Sequence, residues 1–343
     1  MKVGNRLLVL ISVSTIIFIA LLTLYFVNIP MYLSGSISSS EVKFVSQNRV
    51  NNILDLTSRS FEYIEISSFQ NIESGFESIN VGDEAIVNDG SKTLVIRSED
   101  VSDFVVFKEG YSLNGFDVGP NTIVGISVDK YKDNSVLVLS MDGDIPPVTL
   151  VGNSTSSSLL VSGSIVEFSG QSVDGTMSNV ELDMEMSSSD MVTIYPDSGK
   201  LEVRLPVAGG VDLREEGVLP VSRLGFFNER DEYSFSKKLS SILSGSLYIS
   251  ETGKNIDIGL KQPIVLGESD LFDIRGLEVS DSKVNVLFEG EATKLLVGFG
   301  GHNKLPSALE YLMKNQTLIL LINSYILVIT FFLAVMKINR GED

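Results

Sequence analysis

Four aspartates at turns are the residues whose type and spacing best suit metal binding. Asp129 and Asp133 bracket the polar turn 129–134, and Asp142 and Asp144 flank a glycine a few residues later. Calcium prefers six to eight hard oxygen ligands at about 2.4 Å, and carboxylates supply them. Neither segment has EF-hand spacing, and aspartate beside glycine is also ordinary turn chemistry. The four carboxylates are therefore candidate metal ligands, with the turn interpretation kept as the alternative.

The single histidine, His302, is the only imidazole that a Ser–His–Asp triad in this chain could use. Such a triad needs the imidazole beside its nucleophile, and the chain contains no Gly-x-Ser-x-Gly nucleophile elbow. The glycine-rich run 298–301 lacks the βαβ surroundings of a phosphate-binding loop. We therefore predict a loop near the membrane surface here, no catalytic residue, no cofactor and no enzymatic activity. Because 44 residues are acidic, a carboxylate pair of the glycosidase kind stays an alternative.

Composition restricts the compartment and the partners. The 343 residues include no cysteine, which excludes disulfides, thiolate catalysis and cysteine-ligated metals. The formal net charge of −18 disfavours binding to nucleic acid, because the phosphate backbone repels an acidic surface. With 43% hydrophobic residues, the chain has enough apolar content to bury a core.

The chain has one long uncharged apolar segment near each end, at 7–27 and 317–336. About 20 apolar residues are needed for a helix to cross a hydrocarbon core roughly 30 Å thick. Lys2 and Arg6 precede the first segment, and Lys337 and Arg340 follow the second, so both chain ends are predicted to be cytoplasmic. Residues 28–316 are then extracytoplasmic. Cleavage of the first segment as a signal peptide, near the small residues 34–36, is the alternative.

The pattern between the two apolar segments is that of β structure. Short runs rich in Val, Ile, Leu and Phe recur about every ten residues between Asp, Gly and Ser clusters, which is typical of a sandwich or barrel. We predict a mainly β, sandwich-like ectodomain of one or two domains, with a flexible exit at 34–40 and helices at 41–58 and 229–244. The predicted segments are a cytoplasmic tail 1–6, a transmembrane helix 7–27, a membrane-proximal linker and helix 28–58, β domain 59–150, β domain 151–304, an interfacial helix 305–316, a transmembrane helix 317–336 and a cytoplasmic tail 337–343.

These features favour a membrane-anchored extracytoplasmic binding or scaffold protein, a non-catalytic accessory subunit of a larger membrane or envelope complex. Its expected partners are the lipid bilayer and other envelope proteins, and no nucleic acid. An oligomeric two-helix channel is an alternative, with self-association through the spans and Asn323 or the serines of the spans facing a pore. A membrane-tethered carboxylate hydrolase is a further alternative.

Overall fold

A computed structural model provides the structure of the chain. The residues it describes are 16, 19, 20, 23, 29–54, 56, 61–81, 84–87, 93–100, 102–108, 111–113, 116–131, 134–152, 156–163, 165–168, 171–172, 180–185, 191–207, 211–214, 217–228, 239–267, 270–280, 282–299, 302–314, 320, 322–327 and 330.

Strands dominate the described residues, and every named strand pair is antiparallel, so the prediction of a mainly β fold is confirmed. The strands are β1 Met31–Ser39, β2 Glu41–Ser46, β3 Tyr63–Ser67, β4 Phe69–Ser74, β5 Ser78–Val81, β6 Glu84–Val87, β7 Leu94–Arg97, β8 Phe104–Lys108, β9 Tyr111–Leu113, β10 Ile123–Tyr131, β11 Asn134–Asp142, β12 Val148–Gly152, β13 Ser156–Ser162, β14 Ile165–Phe168, β15 Gln171–Ser172, β16 Val180–Glu185, β17 Met191–Pro196, β18 Lys200–Val207, β19 Val211–Arg214, β20 Leu219–Gly225, β21 Phe227–Asn228, β22 Leu239–Ser240, β23 Ile242–Ile249, β24 Lys254–Ile258, β25 Ile264–Leu266, β26 Leu271–Ser280, β27 Lys283–Ala292 and β28 Leu295–Val297.

Seventeen of these strands form one continuous hydrogen-bonded ladder, the large sheet. Following the pairings, its order is β24, β23, β1, β27, β26, β20, β2, β10, β11, β18, β3, β8, β13, β16, β5 and β6. The seventeenth strand, β19, pairs with the second half of β26, beyond the part of β26 that pairs with β20. The hairpin β10–β11 joins the strands near both chain ends to those of the middle. The amino-terminal strands have partners far later in the chain, because β1 pairs with β23 and β27, and β2 pairs with β20 as well as with β10.

A second sheet of seven strands, in the order β15, β14, β7, β4, β17, β12, β9, completes the middle of the molecule. Single stretches of chain pass from one sheet to the other. Between β3 and β4 the backbone turns at Ser68, whose φ is 58°, so the first strand lies in the large sheet and the second in the small one. Ile66 of β3 and Ile72 of β4 both enter the same buried apolar cluster. Two sheets with a shared core are the arrangement of a β-sandwich.

Two predictions for residues 34–58 are wrong. The expected flexible exit at 34–40 is the second part of β1 and the bend at Ser40, and no helix occupies the described residues of 41–58. Burial alternates along β2, with Val42 and Phe44 inside, which is the period of a strand. Gly35 of β1 has no side chain where large side chains of both neighbouring strands occupy the space. A Cβ at Gly35 would lie 2.5 Å from the ring of Phe288 and 2.7 Å from Leu247.

The helix predicted at 229–244 is also wrong where it can be compared, because 239–244 belong to β22 and β23, and 229–238 lie outside the described residues. Strand pairing crosses the predicted domain boundary at 150/151: β13 pairs with β8, and β18 pairs with β11 and β3. The number of domains stays a prediction, and a division at that point has to separate hydrogen-bonded strands.

A helix spans Ala308–Lys314, within the segment predicted to be an interfacial helix. Ser307 and Glu310 form a capping box, since the Glu310 N–H donates to Ser307 Oγ at 3.2 Å and the Ser307 N–H donates to Glu310 Oε2 at 2.9 Å. The location of this helix at a membrane surface stays a prediction.

The predicted spans 7–27 and 317–336 lie mostly outside the described residues, and the tails 1–6 and 337–343 lie outside them entirely. The described positions within both spans are helical. Considering the described residues only, no helix combines the length and the apolar character that crossing a membrane requires.

Candidate functional site

A groove of about 530 Å³ lies between the large sheet and strand β25. Its described lining comes from β2, the first residue of β10, β20 and β25, with the short pair β21–β22 at one end. Cross-strand neighbours form its floor, because Val45 pairs with Ile123 on one side and with Ser222 on the other. Ile123 is 44% exposed and Val265, on the β25 wall, is 47% exposed, so the groove presents apolar side chains to solvent.

A β-bulge forms one wall of the groove. The register between β2 and β20 shifts between Lys43 and Val45, so that β20 carries one residue more than β2 over this interval. The extra residue lets Leu224 turn into the core, where it is 4% exposed, while Arg223 stays exposed beside the groove. Arg223 has a φ of 51°, in the left-handed region that is uncommon for residues other than glycine. Bulges of this kind redirect a side chain and are frequent next to functional sites.

The charges at the groove are positive in a chain that is strongly acidic. Lys43 and Arg223 are the ionisable residues of the described lining, which contains no carboxylate. Lys43 Nζ lies 3.6 Å from Glu41 Oε1 and 6.0 Å from the centroid of the Phe227 ring, so its charge is partly compensated. The side chain of Arg223 forms no hydrogen bond or ion pair with the residues that the structure describes. Among the described residues, the guanidinium of Arg223 is therefore the charge of the groove that has no ionic partner.

The outer wall of the groove is held by Asp270, which is 2% exposed and follows β25. Asp270 Oδ2 accepts the Gly267 N–H at 2.7 Å, and Asp270 Oδ1 accepts the N–H and the hydroxyl of Thr293 at 2.9 and 2.5 Å. Because Thr293 lies between β27 and β28, one buried carboxylate fastens the turn after β25 to the turn before its partner strand.

A smaller cavity of about 360 Å³ adjoins the groove, and Lys43 and Ile123 line both. Its other charged lining residues are Asp142, Lys200 and Glu202. Charges of both signs alternate there, so the smaller cavity carries no clear preference for an anion or a cation.

The four candidate metal ligands do not form a described cluster. Asp129 is half-buried within β10, Asp142 ends β11, Asp144 lies two residues further, and Asp133 is outside the described residues. The main-chain oxygen of Asp144 accepts the Gly119 N–H at 2.6 Å, a contact that shapes a turn. In the described part of the chain, no group of three or more acidic or histidine side chains is placed to hold a metal ion. The metal site stays a prediction.

His302 is exposed in the loop after β28. Gly298 of the preceding glycine-rich run has a φ of 77°, and its N–H donates to the Pro263 carbonyl at 2.8 Å, so this glycine makes a turn beside β25. Residues 300 and 301 lie outside the described residues.

Sequence reasoning missed the groove and Arg223. A weak signal was present in β20, where the buried apolar positions Leu219, Val221 and Leu224 have spacings of two and then three. A step of three inside a run of period two is what a bulge produces. The partner strands that complete the groove are far away in sequence, so no local pattern marks the site.

The start of β1 and the end of the helix Ala308–Lys314 meet at one turn, 250–253. The Ser250 N–H donates to the Tyr32 carbonyl at 3.0 Å, and the Tyr32 N–H donates to Glu251 Oε1 at 2.7 Å. Lys314 Nζ, at the end of the helix, donates to the Thr252 carbonyl. The chain therefore enters β1 and leaves the helix at neighbouring points of the surface.

No protein family model matches this chain, and a search of curated proteins finds no match either. Similarity to other proteins therefore contributes nothing about its ligand or partner. Two observations bear on function: the chemistry of the groove, and the meeting of Tyr32 and Lys314 at the turn 250–253.

Proposed function

We propose that the protein is a membrane-anchored, extracytoplasmic binding protein that serves as a non-catalytic accessory subunit of a larger membrane or envelope complex. Residues 7–27 and 317–336 are its two membrane helices, with both tails cytoplasmic and a β ectodomain outside. The observation that carries the proposal is the meeting of Tyr32 and Lys314 at the turn 250–253. Two segments that leave a body at adjacent points can enter the same face of one bilayer.

The described residues within the two apolar segments support this reading. They are helical, and Ile16, Leu320 and Leu327 are each 65–70% exposed, so large apolar side chains cover the outside of these helices. Thr23 Oγ1 and Thr330 Oγ1 each donate at 2.7 Å to the main-chain carbonyl four residues earlier. Polar side chains that are satisfied within their own helix are tolerated in hydrocarbon.

The ectodomain offers a binding surface on this anchored scaffold. The groove combines exposed apolar side chains with the uncompensated charge of Arg223, and its walls are hydrogen-bonded strands. Sites on rigid elements hold their geometry better than sites on loops. This supports a binding role for the ectodomain.

The absence of cysteine allows a clean test of the topology. Single cysteines at Lys2, Ser244 and Glu342 are labelled with a membrane-impermeant maleimide, first in intact cells and then after permeabilisation. We expect Ser244→Cys, on exposed β23, to react in intact cells, and both tail variants to react only after permeabilisation. Ser241→Cys is the matched control, since Ser241 is 5% exposed and should stay unlabelled in the folded protein. A tail cysteine that reacts in intact cells refutes the proposed arrangement.

The subunit role is tested by purification in mild detergent followed by mass spectrometry. Stoichiometric copurification of other envelope proteins is the expected result. A protein that purifies alone as a monomer contradicts the accessory-subunit role. A homo-oligomer that conducts ions in liposomes favours the channel alternative in its place.

A further inference from the structure

We propose that the groove binds a small amphipathic anion, an apolar chain that ends in a carboxylate, with the carboxylate paired to Arg223 and the chain between Ile123 and Val265. This ligand class goes beyond the anchoring and scaffold role. It does not depend on which side of the membrane the ectodomain faces.

The size and lining of the groove suit the apolar part of such a ligand. Small-molecule sites commonly have volumes of about 300–1,000 Å³, with mostly apolar walls and a few polar groups, and the groove has about 530 Å³. Ile123 on the floor and Val265 on the opposite wall are each nearly half exposed. A ligand chain between them removes both side chains from water.

The charge at the groove selects the head group. Glu41 lies 3.6 Å from Lys43 Nζ, whereas Arg223 has no ionic partner among the described residues. A guanidinium binds a carboxylate through two parallel hydrogen bonds, which a lysine cannot do. Because the described lining contains no carboxylate, an anionic head meets no like charge among the described lining residues.

The backbone at Arg223 points to the same role. A left-handed conformation with a φ of 51° is easily adopted by glycine, yet an arginine occupies this position. The bulge it forms places the guanidinium beside the groove while the next residue enters the core. Unusual backbone conformations that the surrounding structure enforces cluster at ligand-binding sites.

A small molecule fits better than an extended peptide. Peptides that add to a sheet need an unpaired strand edge, and here β2 and β20 are each paired on both sides. Strand β10 is also paired on both sides, and the other strands of the lining are short, since β25 has three residues and β21 and β22 have two each. Main-chain pairing along the groove is therefore limited to a very short edge.

The test uses the full chain in phosphatidylcholine nanodiscs and a dodecanoate probe that carries a photoreactive diazirine. After illumination, labelled peptides are identified by mass spectrometry. We expect labels within 222–227 and 263–267, and a loss of roughly tenfold in Arg223→Gln, as expected for one hydrogen-bonded charge pair. Arg223→Lys should retain part of the labelling, because the charge remains without the two-bond geometry.

Two controls separate the proposal from simple partitioning into an apolar surface. Arg275→Gln removes an exposed arginine of β26 that is paired with Glu289, and it should leave labelling unchanged. The matching dodecanol probe should label weakly, with no response to Arg223→Gln. Equal labelling of wild type and Arg223→Gln by the carboxylate overturns the proposal, as does labelling only outside the groove. Thermal melting of each variant shows whether it is folded.

Discussion

Replacing Asp270 with alanine is expected to destabilise the protein and to loosen the outer wall of the groove. The carboxylate is 2% exposed, and it accepts hydrogen bonds from the Gly267 N–H and from both donors of Thr293. Its removal leaves donors on two separate turns without their acceptor. The two turns are those that position β25 and its partner β28.

The size of the effect follows from where each donor lies. Gly267 is buried, so its N–H loses its partner without gaining water, at a cost of about 1–3 kcal/mol. Thr293 is exposed, so water replaces the carboxylate and the loss is about 1 kcal/mol. Together these losses lower the free energy of unfolding by about 3 kcal/mol. For a domain of 150–250 residues, this corresponds to a fall in Tm of about 6–12 °C.

The assay is thermal unfolding of the full chain in detergent, followed by circular dichroism in the β band. Asp270→Asn keeps the shape and one acceptor oxygen, so we expect roughly half of the fall in Tm. Asp257→Ala, at an exposed position of edge strand β24, is the matched control and should change stability by less than about 0.5 kcal/mol. An Asp270→Ala protein that melts within about 2 °C of wild type refutes the reasoning, because it means that the carboxylate is not the acceptor that holds the two turns.

Two further predictions concern β1. Gly35→Ala adds a Cβ 2.5 Å from the Phe288 ring, and we expect it to lower the free energy of unfolding in denaturant by about 1–3 kcal/mol. Gly259→Ala is the control and should be nearly neutral, because its Cβ meets nothing closer than 3.6 Å. Equal stabilities of the two variants contradict the packing of β1. Although Tyr32 is 38% exposed, partial desolvation and the hydrogen bond to the Glu289 carboxylate raise its pKa, so Glu289→Gln should lower that pKa. An unchanged titration by NMR of ring-labelled tyrosine contradicts the contact.

Short apolar runs between clusters of turn residues were enough to predict a mainly β fold, and the structure shows the alternation of burial within those runs. In β18, every second residue from Leu201 to Val207 is buried, and the same alternation recurs in β3, β8 and β12. Period two is a local property, because successive side chains of a strand point to opposite faces. The helix Ala308–Lys314 lies within the predicted helical segment 305–316, and the structure adds its capping serine and glutamate, three residues apart.

Local pattern failed where the reason for a residue lies in a distant strand. Ser34–Ser40 has the composition of a flexible linker, yet Ser34–Ser39 pairs with two strands, and Gly35 leaves the space that Phe288 and Leu247 of those strands occupy. The apolar residues after position 41 happened to fit a helical spacing as well as an alternating one, and only the pairing of β2 with β10 and β20 decided between them.

By itself, the sequence determined the β class, the acidic charge, the lack of cysteine and the presence of two uncharged apolar segments, since each of these is set by composition or by short-range period. Tertiary structure alone decided the groove and the meeting of the start of β1 with the end of the helix. Val45 faces Ser222, and Tyr32 meets a turn at residue 250, because the register of distant strands brings them together. Period two specifies which face of a strand is apolar, whereas the neighbour of that strand depends on packing over the whole sheet.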